Sequence, residues 1–171
     1  GTNTGTITTA DDVQADLGSA AALGPFANWQ SSGVLARAAQ YYLTTPATPG
    51  TITSGSLYSL TGSQQEQQSF TIPATDLSGP GGLAMNFVDM SATKFIIIKV
   101  TGNNPTINVP SVWVDGEQPS TILDPEYQSL AKRIVWVFPD ATNITFSGNG
   151  QIPGSVIAPK ANVTVTMAGG G

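Results

Sequence analysis

Short runs of alternating apolar and polar residues fill most of this chain, and the clearest lie towards its C-terminal end. Strand-like runs over 134–138, 142–146, 154–157 and 162–167 follow one another at nearly even spacing, each closed by Gly, Pro or Asn. A period of two marks a half-buried strand. Further back the same pattern predicts strands over 51–60, 67–72, 83–89, 94–100, 105–109 and 111–114. The run Phe95-Ile96-Ile97-Ile98-Lys99-Val100 is too short to cross a membrane and reads as a buried strand.

Residues before 50 have a different rhythm. Thr9-Ala10-Asp11-Asp12 resembles a helix start with acids in its first turn, and Val13, Leu17, Ala20 and Ala21 follow at helical spacing. Gly24-Pro25 breaks that run. A second helix is predicted from Asn28 or Ser32 to about Leu43, ended by the prolines of 44–50. Between 115 and 133 lies a longer excursion, in which Asp124 can cap two helical turns with Pro125 at the first position.

About ten short strands after one helical segment (11–43) predict a mainly β fold. The expected architecture is a parallel β-helix-like β-solenoid of roughly six to eight rungs over 51–171, with the helical segment packed on it. A β-sandwich is the alternative. The solenoid is preferred because inward positions are small or branched, and because runs end in Gly and Asn rather than hairpin dipeptides. Length alone makes 1–171 a single domain with a sizeable core.

Composition narrows the function. Charged residues make up 10% of the chain, against about 25% in ordinary domains. Gly, Pro, Ser, Thr and Asn take their place and give a polar, uncharged surface suited to work outside cells. Six basic residues and a net charge of -5 argue against nucleic acid as a partner. Cysteine and histidine are absent. Disulfides and thiol nucleophiles are therefore excluded, and the usual general base and commonest metal ligand are missing. Paired carboxylates could support glycoside hydrolysis, but no acidic and basic cluster for an anionic polysaccharide is visible. The expectation is a protein that is not an enzyme and has no cofactor. The chain begins mid-pattern, so a longer natural protein is expected.

Two segments match a known pattern. Val135-Trp136-Val137-Phe138-Pro139-Asp140-Ala141, and then Gly154-Ser155-Val156-Ile157-Ala158-Pro159-Lys160-Ala161-Asn162-Val163-Thr164, resemble the choice-of-anchor A family of bacterial, mainly Gram-positive, surface proteins. The resemblance covers roughly 94–167, and residues 10–45 match only in kind. Val137, Lys99 and Lys160 stand where that family usually carries Asn. The resemblance implies an adhesive domain at a bacterial cell surface or cell wall, with its anchor outside this chain; the alternative function is a structural spacer or stalk module of a surface fibre, which a crosslink through Lys99 would favour. The expected partner is a host or environmental glycan or extracellular-matrix protein, with no nucleic acid and no direct membrane insertion.

Candidate residues follow from these readings. Long loops on rigid scaffolds commonly carry function, so the excursion is the expected binding loop, with Trp113, Asp115, Glu117 and Tyr127 as ligand contacts. Asp115, Glu117, Asp124 and Glu126 form the densest acidic group but lack calcium-loop spacing, so calcium is possible without being indicated and no metal site is assigned. Asp140 after Pro139 reads as a turn residue. Lys99 shares a strand face with Phe95 and Ile97. It is read either as a lysine whose stem packs while its ammonium reaches water, or as an intramolecular amide crosslink to Asp89 or Asp140. Thr164 and Thr166 form a Thr-x-Thr row of the kind that can bind ice, though Thr also suits any solvated strand. Two glycosylation sequons, at Asn143 and Asn162, read as coincidence in a bacterial protein.

Overall fold

The core is built from columns of inward side chains that repeat from strand to strand. A computed structural model describes residues 32–78, 82–109, 111–148 and 152–167. The predicted features before residue 32, including the helix over 11–21, lie outside them. The described chain begins with helix α1 (Ser32–Thr44), then β1 (Thr48–Pro49), β2 (Thr51–Thr53), β3 (Tyr58–Thr61), β4 (Gln67–Pro73) and the short helix α2 (Ala74–Leu77). Strands β5 (Met85–Val88), β6 (Phe95–Thr101), β7 (Thr106–Ile107) and β8 (Val112–Val114) follow. Helix α3 (Pro125–Ala131) precedes β9 (Ile134–Val137), β10 (Asn143–Gly148), β11 (Ser155–Ile157) and β12 (Asn162–Met167).

The strands form three sheets. Sheet 1 has the order β1-β4-β6-β9-β11, sheet 2 the order β2-β3-β5-β8, and sheet 3 the order β12-β10-β7. From β5 to β10 the chain visits sheet 2, sheet 1 and sheet 3 twice in that order, and β11 and β12 then join sheets 1 and 3. All pairings between named strands are parallel except that of β2 with β3. A sandwich of antiparallel sheets is not what this chain makes. Tyr58, Met85 and Val112 stand in register at intervals of 27 residues, whereas Ile96 and Ile134 are 38 apart and Val135 and Ser155 are 20 apart. Sheets 1, 2 and 3 hold five, four and three described strands, against the six to eight rungs expected. The predicted strand over 51–60 is two strands, β2 and β3, folded antiparallel around Ser54-Gly55-Ser56.

Register explains the core. Phe70, Ile98, Trp136 and Val156 form one inward column of sheet 1. Leu60, Phe87 and Val114 form one in sheet 2, and Ile107, Phe146 and Val165 one in sheet 3. Most of these side chains are fully buried. The columns reach solvent at β11 and β12, where Val156, Val163 and Val165 are exposed.

Helix α1 covers the outer face of sheet 1. Its Ala39 and Tyr42 pack with Ile97, Val135 and Val137, so all four residues of β9 are buried. A strand with one face on the core and the other under a helix carries no polar residues, which is why Ile134 to Val137 reads as an unbroken apolar run.

Candidate functional site

The excursion between β8 and β9 begins with a tight reversal. Val114 and Glu117 exchange backbone hydrogen bonds of 2.8 and 2.9 Å across Asp115-Gly116. Asp115 has φ 50° and Gly116 φ 87°. Positive φ at both central residues is the hairpin geometry that Asp-Gly favours. The turn is pinned to sheet 2 from three directions. Asp115 N–H donates to the Phe87 carbonyl (2.9 Å), Gly116 N–H to Asn86 Oδ1 (3.0 Å), and Asp89 N–H to Asp115 Oδ1 (2.8 Å). The sequence carries this hairpin dipeptide in plain view, contrary to the expectation that such dipeptides do not end the runs.

At the other end of the excursion, Asp124 caps α3 as predicted. Its Oδ1 accepts from the Glu126 N–H at 2.9 Å, and Pro125 occupies the first turn. Leu130 anchors the helix in the core. Arg133 follows the helix and turns inward. Its Nε donates to the Ser129 carbonyl at 2.9 Å, and its Nη1 donates to the carbonyls of Met90 (2.7 Å) and Thr93 (2.6 Å). Burial lowers the Arg133 guanidinium from its ordinary value.

Between turn and helix lies a cleft of about 490 Å³. Phe87, Val114 and Leu130 give it apolar walls, and Asp115, Glu117 and Glu126 supply carboxylates. Clefts of a few hundred Å³ with apolar walls and a few polar groups are the usual form of a ligand site. Among the described residues no group of three or more Asp or Glu side chains is placed to hold a metal ion. The three carboxylates are therefore distributed around the cleft instead of converging on a point.

The structure brings two of the four expected contacts, Asp115 and Glu117, into this cleft; Trp113 and Tyr127 do not line it. Trp113 lies half-buried in register with Asn86, its indole N–H donating to Ser111 Oγ at 3.2 Å. Tyr127 is half-buried against the main core, and burial raises its hydroxyl above the ordinary value. Sequence reasoning named Glu126 only as part of an acidic group and missed Met90, Leu130 and Arg133. Only Arg133 left a signal, as half of the sole adjacent basic pair.

Lys99 sits on the outer face of sheet 1, in register with Thr71 and Val137, and lines a shallow recess with Tyr42 and Thr45. Of its two suggested crosslink partners, Asp140 lies 3.8 Å from Lys160, and Asp89 sits beyond β5, held to Asp115.

Sheet 3 presents a second candidate surface. Thr106, Thr145 and Thr164 stand in register across its three strands. Asn143 pairs with Asn162 and Ser147 with Thr166 beside that row. The Thr-x-Thr row of β12 is thus part of a two-dimensional hydroxyl and amide array.

The whole-chain comparison agrees with an adhesive module. Residues 1–170 match the family model described as "Putative Ice-binding-like adhesive domain", and the chain belongs to that family. The match upholds the adhesive part of the resemblance seen in sequence; it is to the ice-binding-like adhesive family and not to choice-of-anchor A. No curated protein and no solved structure matches the chain. No helix among the described residues is long and apolar enough to cross a membrane.

Proposed function

We propose that this chain is a non-catalytic adhesive module of a bacterial surface protein, that its three sheets are the faces of a β-solenoid, and that the excursion between β8 and β9 holds the ligand. The observation that carries this reading is the cleft between the Val114–Glu117 turn and α3, fixed on both sides to the parallel stack. Parallel stacking supplies a stiff scaffold, and the longest irregular segment of the described chain supplies a shaped recess at its surface. The family match supports the adhesive role. The strand motifs at 135–141 and 154–164 support kinship with choice-of-anchor A domains and a place outside the cell. Solid-phase binding of the purified chain to arrays of glycans and matrix proteins tests the proposal. Saturable binding is expected, and a folded chain that binds nothing contradicts it.

A second reading rests on sheet 3. The row Thr106–Thr145–Thr164 spaces hydroxyl groups at the strand separation, about 4.8 Å, on an uncharged face. Such a regular face suits ordered water, and the family description carries the same suggestion. Thermal hysteresis that disappears in Thr145→Tyr would favour this reading; its absence from the native chain would remove it.

A further inference from the structure

We infer that the cleft between the Val114–Glu117 turn and α3 takes a basic side chain, lysine or arginine, from a polypeptide partner. The inference deepens the adhesive reading and rests on it.

Charge complementarity is the first argument. Asp115, Glu117 and Glu126 line the cleft, and none of them is in an ion pair among the described residues. Arg133 is the one basic residue of the lining, and its guanidinium already donates to three backbone carbonyls. Those bonds point the positive group at the protein's own backbone, so the carboxylates keep an excess of negative charge facing the recess. An incoming ammonium or guanidinium would find the Glu117 and Glu126 carboxylates there as acceptors, beside Asp115, whose Oδ1 already accepts from the Asp89 N–H.

Shape is the second argument. Half-buried Val114 is the accessible apolar wall of the recess, with Phe87 and Leu130 almost wholly buried behind it. A lysine or arginine side chain has the matching form, an aliphatic stem under a charged head. A neutral sugar would need an open aromatic platform, whereas Phe87 is only 1% exposed and Trp113 and Tyr127 lie outside the lining.

The third argument concerns the rim. Ile122 and Leu123, just before α3, are 47% and 73% exposed. The Leu123 N–H donates to Thr121 Oγ1 at 3.1 Å and the Asp124 N–H to the Thr121 carbonyl at 3.1 Å, so this apolar pair is presented on an ordered turn. An apolar pair next to an acidic recess suits a peptide segment that combines a basic and an apolar residue.

The test is a titration of the whole chain with a capped Gly-Lys-Gly peptide, followed through backbone amide NMR shifts at Asp115 to Glu117. The same peptide with norleucine in place of lysine serves as control. Saturable shifts with an about millimolar Kd are expected for lysine and none for norleucine. The double variant Glu117→Gln/Glu126→Gln should weaken binding about tenfold, since two of the three carboxylates lose their charge. Glu66→Gln, which removes an exposed carboxylate paired with Lys94 outside the cleft, should leave it unchanged. Equal shifts with norleucine, or equal weakening by Glu66→Gln, would overturn the inference in favour of apolar contact or overall charge. Shifts of the same amides by a neutral oligosaccharide and not by the lysine peptide would also overturn it. If the double variant fails to fold, the lysine and norleucine comparison on the native chain decides alone. Array binding without lysine-peptide binding sinks this inference and leaves the adhesive reading standing; binding in neither assay removes both.

Discussion

The Arg133 guanidinium donates to the Met90 carbonyl at 2.7 Å, a bond that joins the end of α3 to the turn after β5 across 43 residues of sequence. The same nitrogen reaches Thr93, so one side chain satisfies two carbonyls of that turn and closes the floor of the cleft. Arg133→Ala is expected to cost about 2 kcal/mol, because hydrogen bonds to a charged group are lost and the Thr93 carbonyl loses its donor, while the Met90 carbonyl keeps the Thr93 N–H at 3.1 Å. Urea unfolding of the variant beside the native chain checks this. A cost within error of zero would mean that water replaces the guanidinium freely.

Gly154 enters β11 with φ 101°, and a Cβ there would collide with the backbone carbonyl of Ile134. Gly154→Ala should destabilise by about 3 kcal/mol, combining a left-handed backbone with a clash that rigid neighbours cannot relieve. Gly116→Ala is the matched control. Its φ of 87° carries the backbone cost, but nothing lies within 4 Å of the added methyl, so about 1 kcal/mol is expected. Equal losses at the two positions would show that the collision contributes nothing.

Gln68 is fully buried on the inward face of β4, beside Ile96. Its Nε2 donates to Ser63 Oγ at 3.0 Å, while Oε1 has no partner among the described residues. A buried acceptor without a donor opposes folding, so Gln68→Met, of similar length, should raise stability by about 1 kcal/mol. Thermal unfolding of the two proteins measures it. A fall would indicate that the Ser63 bond outweighs the orphaned oxygen.

Tyr58 is 4% exposed, and its hydroxyl donates to Asp76 Oδ2 at 2.9 Å. Burial first, then the bond to Asp76 and the charge of that carboxylate, raise the phenol well above its ordinary value. The unfolded chain releases this proton near pH 10 while the folded chain keeps it. Stability is therefore undiminished below about pH 10 and falls above it, by up to about 1.4 kcal/mol per pH unit. Tyr127, also raised by burial, adds to the same slope. Tyr58→Phe should lose about 1 kcal/mol at neutral pH but show a shallower alkaline decline. Identical declines in both proteins would remove Tyr58 as the cause.

How far the sequence could be read depended on which interactions were local. Asp124 and Pro125 announce α3, and the observed helix starts where they place it. Strands β4, β6, β9, β10 and β12 were likewise legible, because period-two burial is written in consecutive residues. The number of strands per sheet was not, because registered residues are unevenly spaced, 27 apart from Tyr58 to Met85 but 38 apart from Ile96 to Ile134. Lys99 was assigned the right strand-mates, but nothing local says that their face is the outer one under α1. The Thr-x-Thr row of β12 was visible, whereas Thr106 and Thr145 join it only through register. In the cleft, Asp115 and Glu117 could be named from the excursion itself. Arg133 and Met90 could not, since their pairing depends on the turn after β5 lying against the end of α3.

The central claim is that the cleft, and not the threonine face, engages the adhesive ligand. The most direct measurement takes the glycan or matrix protein that the native chain binds on an array. It then compares three proteins against it: native, Glu117→Gln/Glu126→Gln, and Thr145→Tyr. The account predicts that binding is lost in the carboxylate variant and retained in Thr145→Tyr, with thermal midpoints showing all three folded. Binding retained in the carboxylate variant and lost in Thr145→Tyr would contradict it and move the functional surface to sheet 3.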